Sequence, residues 1–187
     1  VVSASTTTGF QTVTNNQMTT VFSSGAFLVV AILMAVGGSS GSTSGGMKLS
    51  RLGLIAKSMV STIKETLSPG TARVSVRYYH LGKKVLTTEV AKAALTVSAL
   101  FVFTYLAGSL VGIAHGYDAL DAIFESVSMA SNGGLSSGII AHGMPPVLEG
   151  VYILEMWAGR LEFITLIALI VKVVVSLSAL AKRKLRD

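Results

Sequence analysis

The chain has 187 residues, of which 51% are hydrophobic and only 13% charged, with a formal net charge of +6. A soluble domain carries about 25% charged residues, so a surface wet on all sides is a poor fit. The charge is also segregated. No Asp, Glu, Lys or Arg occurs from Val1 to Met47 and no Lys or Arg from Ala93 to Gly159, while nine of the fifteen basic residues fall between Lys48 and Lys92. Charge blocks separated by apolar stretches mark a polytopic membrane protein, whose cytoplasmic loops collect Lys and Arg. The basic balance therefore reads as membrane topology and not as a nucleic-acid partner, which would call for basic residues interleaved with aromatics. There is no Cys, hence no disulfide framework or thiolate metal site, and His80, His115 and His142 lack ligand spacing. No charged n-region precedes an apolar run, so no signal peptide is expected, and the chain is expected to start partway through a longer protein.

In chain order, a first apolar segment runs from about Met18 to Val36 and ends in small residues. The basic block Lys48–Lys92 follows. Ala93–Ala114, 22 residues without charge, is long enough to cross about 30 Å of hydrocarbon. A third segment, from near Val147 to about Leu180, exceeds what a crossing needs and should tilt, bend or project into the cytoplasm. Lys48–Lys92 and Lys182–Arg186 should both be cytoplasmic, so the second and third segments supply the even number of crossings between them. His115–Glu149, with Asp118, Asp121, Glu125 and Glu149 but no basic residue, then lies outside or dips in and returns.

Within that stretch Asp118–Ala130 reads as a short amphipathic helix with Asp118 as N-cap. It ends in Ser131-Asn132-Gly133-Gly134-Leu135-Ser136-Ser137-Gly138, a poor helix former. A short helix followed by a Gly-rich return between two spanning helices is a re-entrant pore loop. Non-helical backbone survives at membrane depth only when buried in protein or lining a water-filled path. Thr6–Thr12 precedes the first span as Ser131–Ser136 precedes the third, so an internal repeat is expected, its first copy truncated at the front. The expected fold is an all-α integral membrane protein of helix–pore loop–helix repeats around a central ion pathway. Residues 1-47 end one repeat, 48-92 form a cytoplasmic connector, 93-181 a complete repeat, and 182-187 a cytoplasmic tail.

Three stretches together resemble the Trk/Ktr/HKT superfamily of potassium transporters, and within it the TrkH/KtrB-like pore subunits. Thr7-Thr8-Gly9-Phe10-Gln11-Thr12 is similar to the filter signature with its central glycine. Gly37-Gly38-Ser39-Ser40-Gly41-Ser42-Thr43-Ser44-Gly45-Gly46-Met47-Lys48 looks like the Gly/Ser-rich intramembrane loop of the third repeat. Met156-Trp157-Ala158-Gly159-Arg160-Leu161-Glu162 matches the Gly-Arg-Leu-Glu of the last repeat's second helix. The resemblance implies the third repeat's filter and second helix, then a whole fourth repeat. It implies a non-enzyme that takes up potassium across the cytoplasmic membrane, multi-pass among membrane lipid and homodimeric. K⁺ is then the transported ion, with no bound cofactor. The implied partner is a cytosolic nucleotide-binding regulatory subunit of TrkA/KtrA type, within reach of the basic connector. The implied filter is Thr7, Thr8, Gly9 and Phe10 with Ser131, Asn132, Gly133 and Gly134, and backbone carbonyls of Thr8, Gly9, Asn132 and Gly134 hold K⁺. Gly134 is assigned as the second filter glycine, with Gly133 as the alternative.

The chemistry of the residues runs the same way. A dehydrated cation needs rings of carbonyls in place of its hydration shell, glycine allows backbone angles that aim them at one axis, and a pore helix turns its partly negative C-terminus toward the ion. The run Gly37–Gly46 holds five Gly and four Ser in ten residues. A phosphate-binding loop is a poor reading, since Met47 separates Gly46 from Lys48 and Leu49 follows. A close helix-packing motif is possible, and an unwound break in a membrane helix is favoured. Arg160 sits in an apolar helix, where a charge costs at least about 2.5 kcal/mol. Either it snorkels to an interface, or it shares a constriction with the glycine run below the filter. On the second reading Gly37, Gly38, Ser39, Ser40, Gly41, Ser42, Thr43, Ser44, Gly45, Gly46 and Arg160 form the gate. The alternatives are a Na⁺/K⁺-conducting channel subunit and a non-transporting bundle packed through Gly-rich helices.

Overall fold

Helix starts are set by local capping. The Ser23 hydroxyl accepts from the Ala26 N–H at 3.4 Å, and the Asp118 carboxylate accepts from the Leu120 N–H at 3.0 Å, as its sequence position predicts. Pro146 opens the last described helix, where its missing N–H costs nothing. The computed structural model describes residues 1–13, 22–39, 41–42, 44–68, 77–79, 83–161, 165, 168–169 and 171–176. Among them the elements are α1 (Val2–Ser5), α2 (Ser24–Val36), α3 (Leu49–Leu67), β1 (Arg77–Tyr79), β2 (Lys83–Val85), α4 (Thr88–Ala114), α5 (Ala119–Ala130) and α6 (Pro146–Leu161). Helical backbone recurs over 171–176.

The short helix α5 is the hub, packed by α2, α4 and α6. Every residue from Phe124 to Ala130 is buried. Phe27 of α2 stacks on Phe124 with ring centroids 4.2 Å apart. Met34 of α2 and Val97, Phe101 and Tyr105 of α4 complete this core, and Ala122, Met129, Ile139, Leu148 and Tyr152 form a second one toward α6. In α4, Gly108 and Gly112 are spaced for close helix approach. A methyl group at Gly108 would collide with the Glu155 carboxylate and lie 2.6 Å from the Ser126 hydroxyl, and one at Gly112 would lie 2.9 Å from the Ala122 side chain.

Helix α4 has 27 residues, about 40 Å at 1.5 Å per residue. Among the described residues it is the helix long and apolar enough to cross a membrane. It starts at Thr88, one turn ahead of Ala93, because Glu89 and Lys92 continue the helix beyond the uncharged stretch. The basic connector, whose internal structure the sequence reading leaves open, contains α3, a 19-residue helix with no buried residue, and an antiparallel strand pair matching Tyr78 with Lys84. Among the described residues the regular elements are thus helical apart from this strand pair. Counting charges for topology passed over the β-branched and aromatic residues around Tyr78, which favour strand. Of the expected spans and gate, Met18–Val21, Ser40, Thr43 and Leu177–Leu180 lie outside the described residues, as does the tail from Lys182.

Gly108→Val should lower the melting temperature of the detergent-solubilised protein, because overpacking a tight site costs about 1–3 kcal/mol. Gly53→Ala is the control. Position 53 lies in α3 with nothing near a built methyl group, and the exchange should stabilise by up to about 1 kcal/mol. Equal shifts in thermal unfolding would contradict the packing described.

Candidate functional site

The pore helix α5 ends in a tight left-handed turn. The Asn132 N–H donates to the Met129 carbonyl at 3.0 Å and the Gly133 N–H to the Ser128 carbonyl at 2.7 Å. Asn132 itself lies at φ +54°. This Schellman arrangement satisfies carbonyls that the helix leaves bare. The start of the chain repeats it bond for bond: the Thr7 N–H donates to the Ala4 carbonyl at 3.3 Å and the Thr8 N–H to the Ser3 carbonyl at 3.0 Å. Thr7 lies at φ +51°. A β-branched residue seldom adopts that conformation, and its hydroxyl is buried without a hydrogen-bond partner. Helix α1 therefore ends as α5 does, and one constant offset relates the two loops.

After each turn comes a glycine with positive φ, +82° at Gly9 and +72° at Gly134. These two face each other. A methyl group added at Gly134 would sit 3.0 Å from the Gly9 Cα, and one at Gly9 would sit 3.3 Å from the Gly133 carbonyl oxygen. Gly134 is exposed, whereas Gly133 is buried and packs toward the Met34 sulfur, 2.8 Å from a built methyl group. Of the two alternatives, Gly134 is the counterpart of Gly9. The offset also pairs Thr7 with Asn132 and Thr8 with Gly133, so Thr8 and Asn132 are not equivalent positions. Thr8 and Phe10 are exposed on the same loop as Gly9, and Ser131 is fully buried beneath its own.

The glycine run forms a closed loop below these turns. Helix α2 stops at Val36, and Gly37 caps it at φ +67°. The Met47 N–H donates to the Ala35 carbonyl at 3.0 Å and the Leu49 N–H to the Gly38 carbonyl at 3.1 Å, which bring the chain back to the helix end. Inside, the Ser44 hydroxyl accepts from the Gly38 N–H at 3.0 Å and pairs with the Ser42 hydroxyl. Gly45 rests on the Ser131 carbonyl, while from the other side Gly159 of α6 rests on the Ala130 carbonyl. A methyl group at either glycine would also stand 3.3 Å from Asn132 Nδ2. That nitrogen donates to the Met156 carbonyl at 3.2 Å. Asn132 is thus wedged between the glycine run and α6. Arg160, next to Gly159, is exposed in the last turn of α6.

Two carboxylates lie behind the loops, and Glu155 faces the neighbouring helices as its position seven residues before Glu162 suggests. Glu125, counted among external acids, is fully buried. Its oxygens accept from the Ser136 hydroxyl and from the N–H groups of Ser137 and Ile140, the latter two at 3.4 Å. Glu155 is 4% exposed and accepts from the Ser126 hydroxyl at 3.0 Å. Asp121 lies four residues before Glu125 on the same helical face, so the charge pattern does not single out the buried acid. Gln11 was noted only as part of a signature. Its amide donates to the Ser136 carbonyl and accepts from the Ser136 N–H, both at 3.3 Å.

Two loops whose glycines meet, each following a short helix, packed with a helix long and apolar enough to cross a membrane, fit a membrane protein built from repeated helix–loop–helix units. The TrkH family profile, described as cation transport protein, matches residues 1–178, and the chain belongs to this family. It is 36% identical over 169 residues to an uncharacterised cation transporter of Methanocaldococcus jannaschii, covering 90% of this chain and 34% of that protein. It is 30% identical over 174 residues to the Trk system potassium uptake protein TrkH of Escherichia coli K12, again covering 90% of this chain and 34% of the relative. The crystal structure of the potassium transporter TrkH from Vibrio parahaemolyticus shares the fold, with a TM-score of 0.70 at 24% identity over 89% of this chain and 34% of that one. The chain spans about a third of the length of these relatives.

Thr7→Asn should raise thermal stability. Asn tolerates the left-handed turn and already serves at the equivalent position 132, so about 1 kcal/mol of backbone strain is relieved. A melting temperature at or below wild type would show that Thr7 is not strained.

Proposed function

We propose that the protein takes up potassium ions across the cytoplasmic membrane, selecting them at the glycines of successive pore loops. The observation that carries this reading is the meeting of Gly9 and Gly134, from two repeats, at the C-terminal ends of two pore helices. Backbone carbonyls around Thr8, Gly9, Asn132 and Gly134 would replace the hydration shell of K⁺, and the helix ends add a favourable negative potential. Four loops close one axis, and the remaining two belong to parts of the relatives' length that this chain does not span. The naming of several relatives as potassium uptake proteins supports the ion. On the same reading the basic connector is cytoplasmic and meets a nucleotide-binding regulatory subunit of TrkA/KtrA type, and the protein works as a homodimer. Uptake of K⁺ by the complete protein in a strain lacking its own K⁺ uptake tests the reading, and failure to support growth at low K⁺ would refute it. Gly134→Ser should raise Na⁺ permeation relative to K⁺, because φ +72° and the 3.0 Å approach to Gly9 leave no room for a side chain.

The gate belongs to the same proposal. Gly37–Gly46 interrupts the α2–α3 path and lies against the floor of the filter, with Arg160 one residue from the other contact to that floor. The guanidinium charge would repel a passing cation, and the loop would close the path beside it. Shortening Ser39–Ser44 and replacing Arg160 by Ala should each increase Rb⁺ flux into proteoliposomes, with the double variant less than additive because one barrier is opened twice. Single variants at or below wild-type flux would leave Arg160 a structural residue.

A further inference from the structure

Three features lie outside the roles assigned so far: the buried Glu125, the Gln11 side chain, and Ser136, which touches both. Glu125 projects from the pore helix into the segment that follows the filter glycine and takes three donors from it: the Ser136 hydroxyl and the N–H groups of Ser137 and Ile140. It is fully buried, and a carboxyl group taken from water needs such donors around it. The segment it grips begins two residues past Gly134. Ser136 is in turn held from the opposite side by Gln11, whose side-chain amide makes both a donating and an accepting bond to the Ser136 backbone at 3.3 Å.

Gln11 and Ser136 are separated by 125 residues, the same separation as Gly9 and Gly134. They occupy one position in two successive repeats, two residues beyond each filter glycine. The bond pair therefore joins corresponding points of neighbouring loops at the level where their glycines meet. We propose that Gln11 and Ser136 clasp the two loops together, with Glu125 anchoring Ser136 to the pore helix, and that this clasp holds the spacing on which ion selectivity depends. These are positioning residues: none need touch the ion. A carbonyl ring distinguishes K⁺ from Na⁺ only while its loops resist closing on the smaller ion, and free loops on glycine hinges do not resist. A side-chain amide that locks two backbones supplies that resistance, and the buried carboxylate keeps its far end from yielding.

The inference rests on the potassium-uptake reading, and the test separates the two. Rb⁺ and Na⁺ fluxes are measured in proteoliposomes holding the complete protein, with wild type, Gln11→Met, Ser136→Ala and the double variant. Gln11→Met keeps length and bulk but removes both clasp bonds. Ser136→Ala removes the tie to Glu125 and leaves the backbone groups that Gln11 uses. Each should lower the Rb⁺/Na⁺ ratio about tenfold, the factor corresponding to about 1.4 kcal/mol. The double variant should fall little further, since both changes break one strut. A merely structural role would reduce both fluxes together and keep the ratio. An unchanged ratio in Gln11→Met, a proportional loss of both ions, or additive effects in the double variant would each overturn the clasp. A wild-type protein that carries neither ion would overturn the uptake reading and the clasp with it.

Discussion

The last carbonyls of an α-helix have no partner inside that helix, and in a medium without water each one left bare costs several kcal/mol. Helix α5 ends buried, packed by three other helices. Its fate decides the rest of the site. The turn through Asn132 returns two N–H groups to the Met129 and Ser128 carbonyls, which forces a positive φ at Asn132 and sends the chain back the way it came. The filter glycine, the descent past Ser136 and the return to α6 all follow from that reversal. The same bonds at Thr7 and Thr8 do the same at the other loop.

What the turn leaves unsatisfied is met by close backbone approach. The Ser131 and Ala130 carbonyls are covered by Gly45 and Gly159, positions where any side chain would collide. Gly159 lets α6 lie directly against the end of α5, and Gly45 lets the glycine run reach the same place from α2. The end of α5 is thus enclosed by contacts that only glycine permits.

The buried acids follow a related rule. A carboxylate enters an apolar interior only with donors around it. Glu125 finds them in the Ser136 hydroxyl and the N–H groups of Ser137 and Ile140, whereas Glu155 meets the Ser126 hydroxyl through one oxygen, in the gap that Gly108 leaves in α4, and its other oxygen has no partner. Their hydrogen bonds run between elements, so they tie the pore helix to its own descending loop and to the outer helices.

Much of this plan was legible in the amino-acid order. Charge blocks and the uncharged Ala93–Ala114 marked the membrane character, Asp118 marked the start of the pore helix, and Ser131–Gly138 marked its end, because capping, propensity and hydropathy depend on residues within a turn or two of each other. The likeness of Thr6–Thr12 to Ser131–Ser136 was visible as order of parts. The approach of Gly134 to Gly9, the burial of Glu125, the hairpin within the connector and the meeting of Gln11 with Ser136 were decided by tertiary structure alone. Each depends on which distant backbone arrives beside a given residue, and a contact across 125 positions leaves no periodicity in the residues on either side of it.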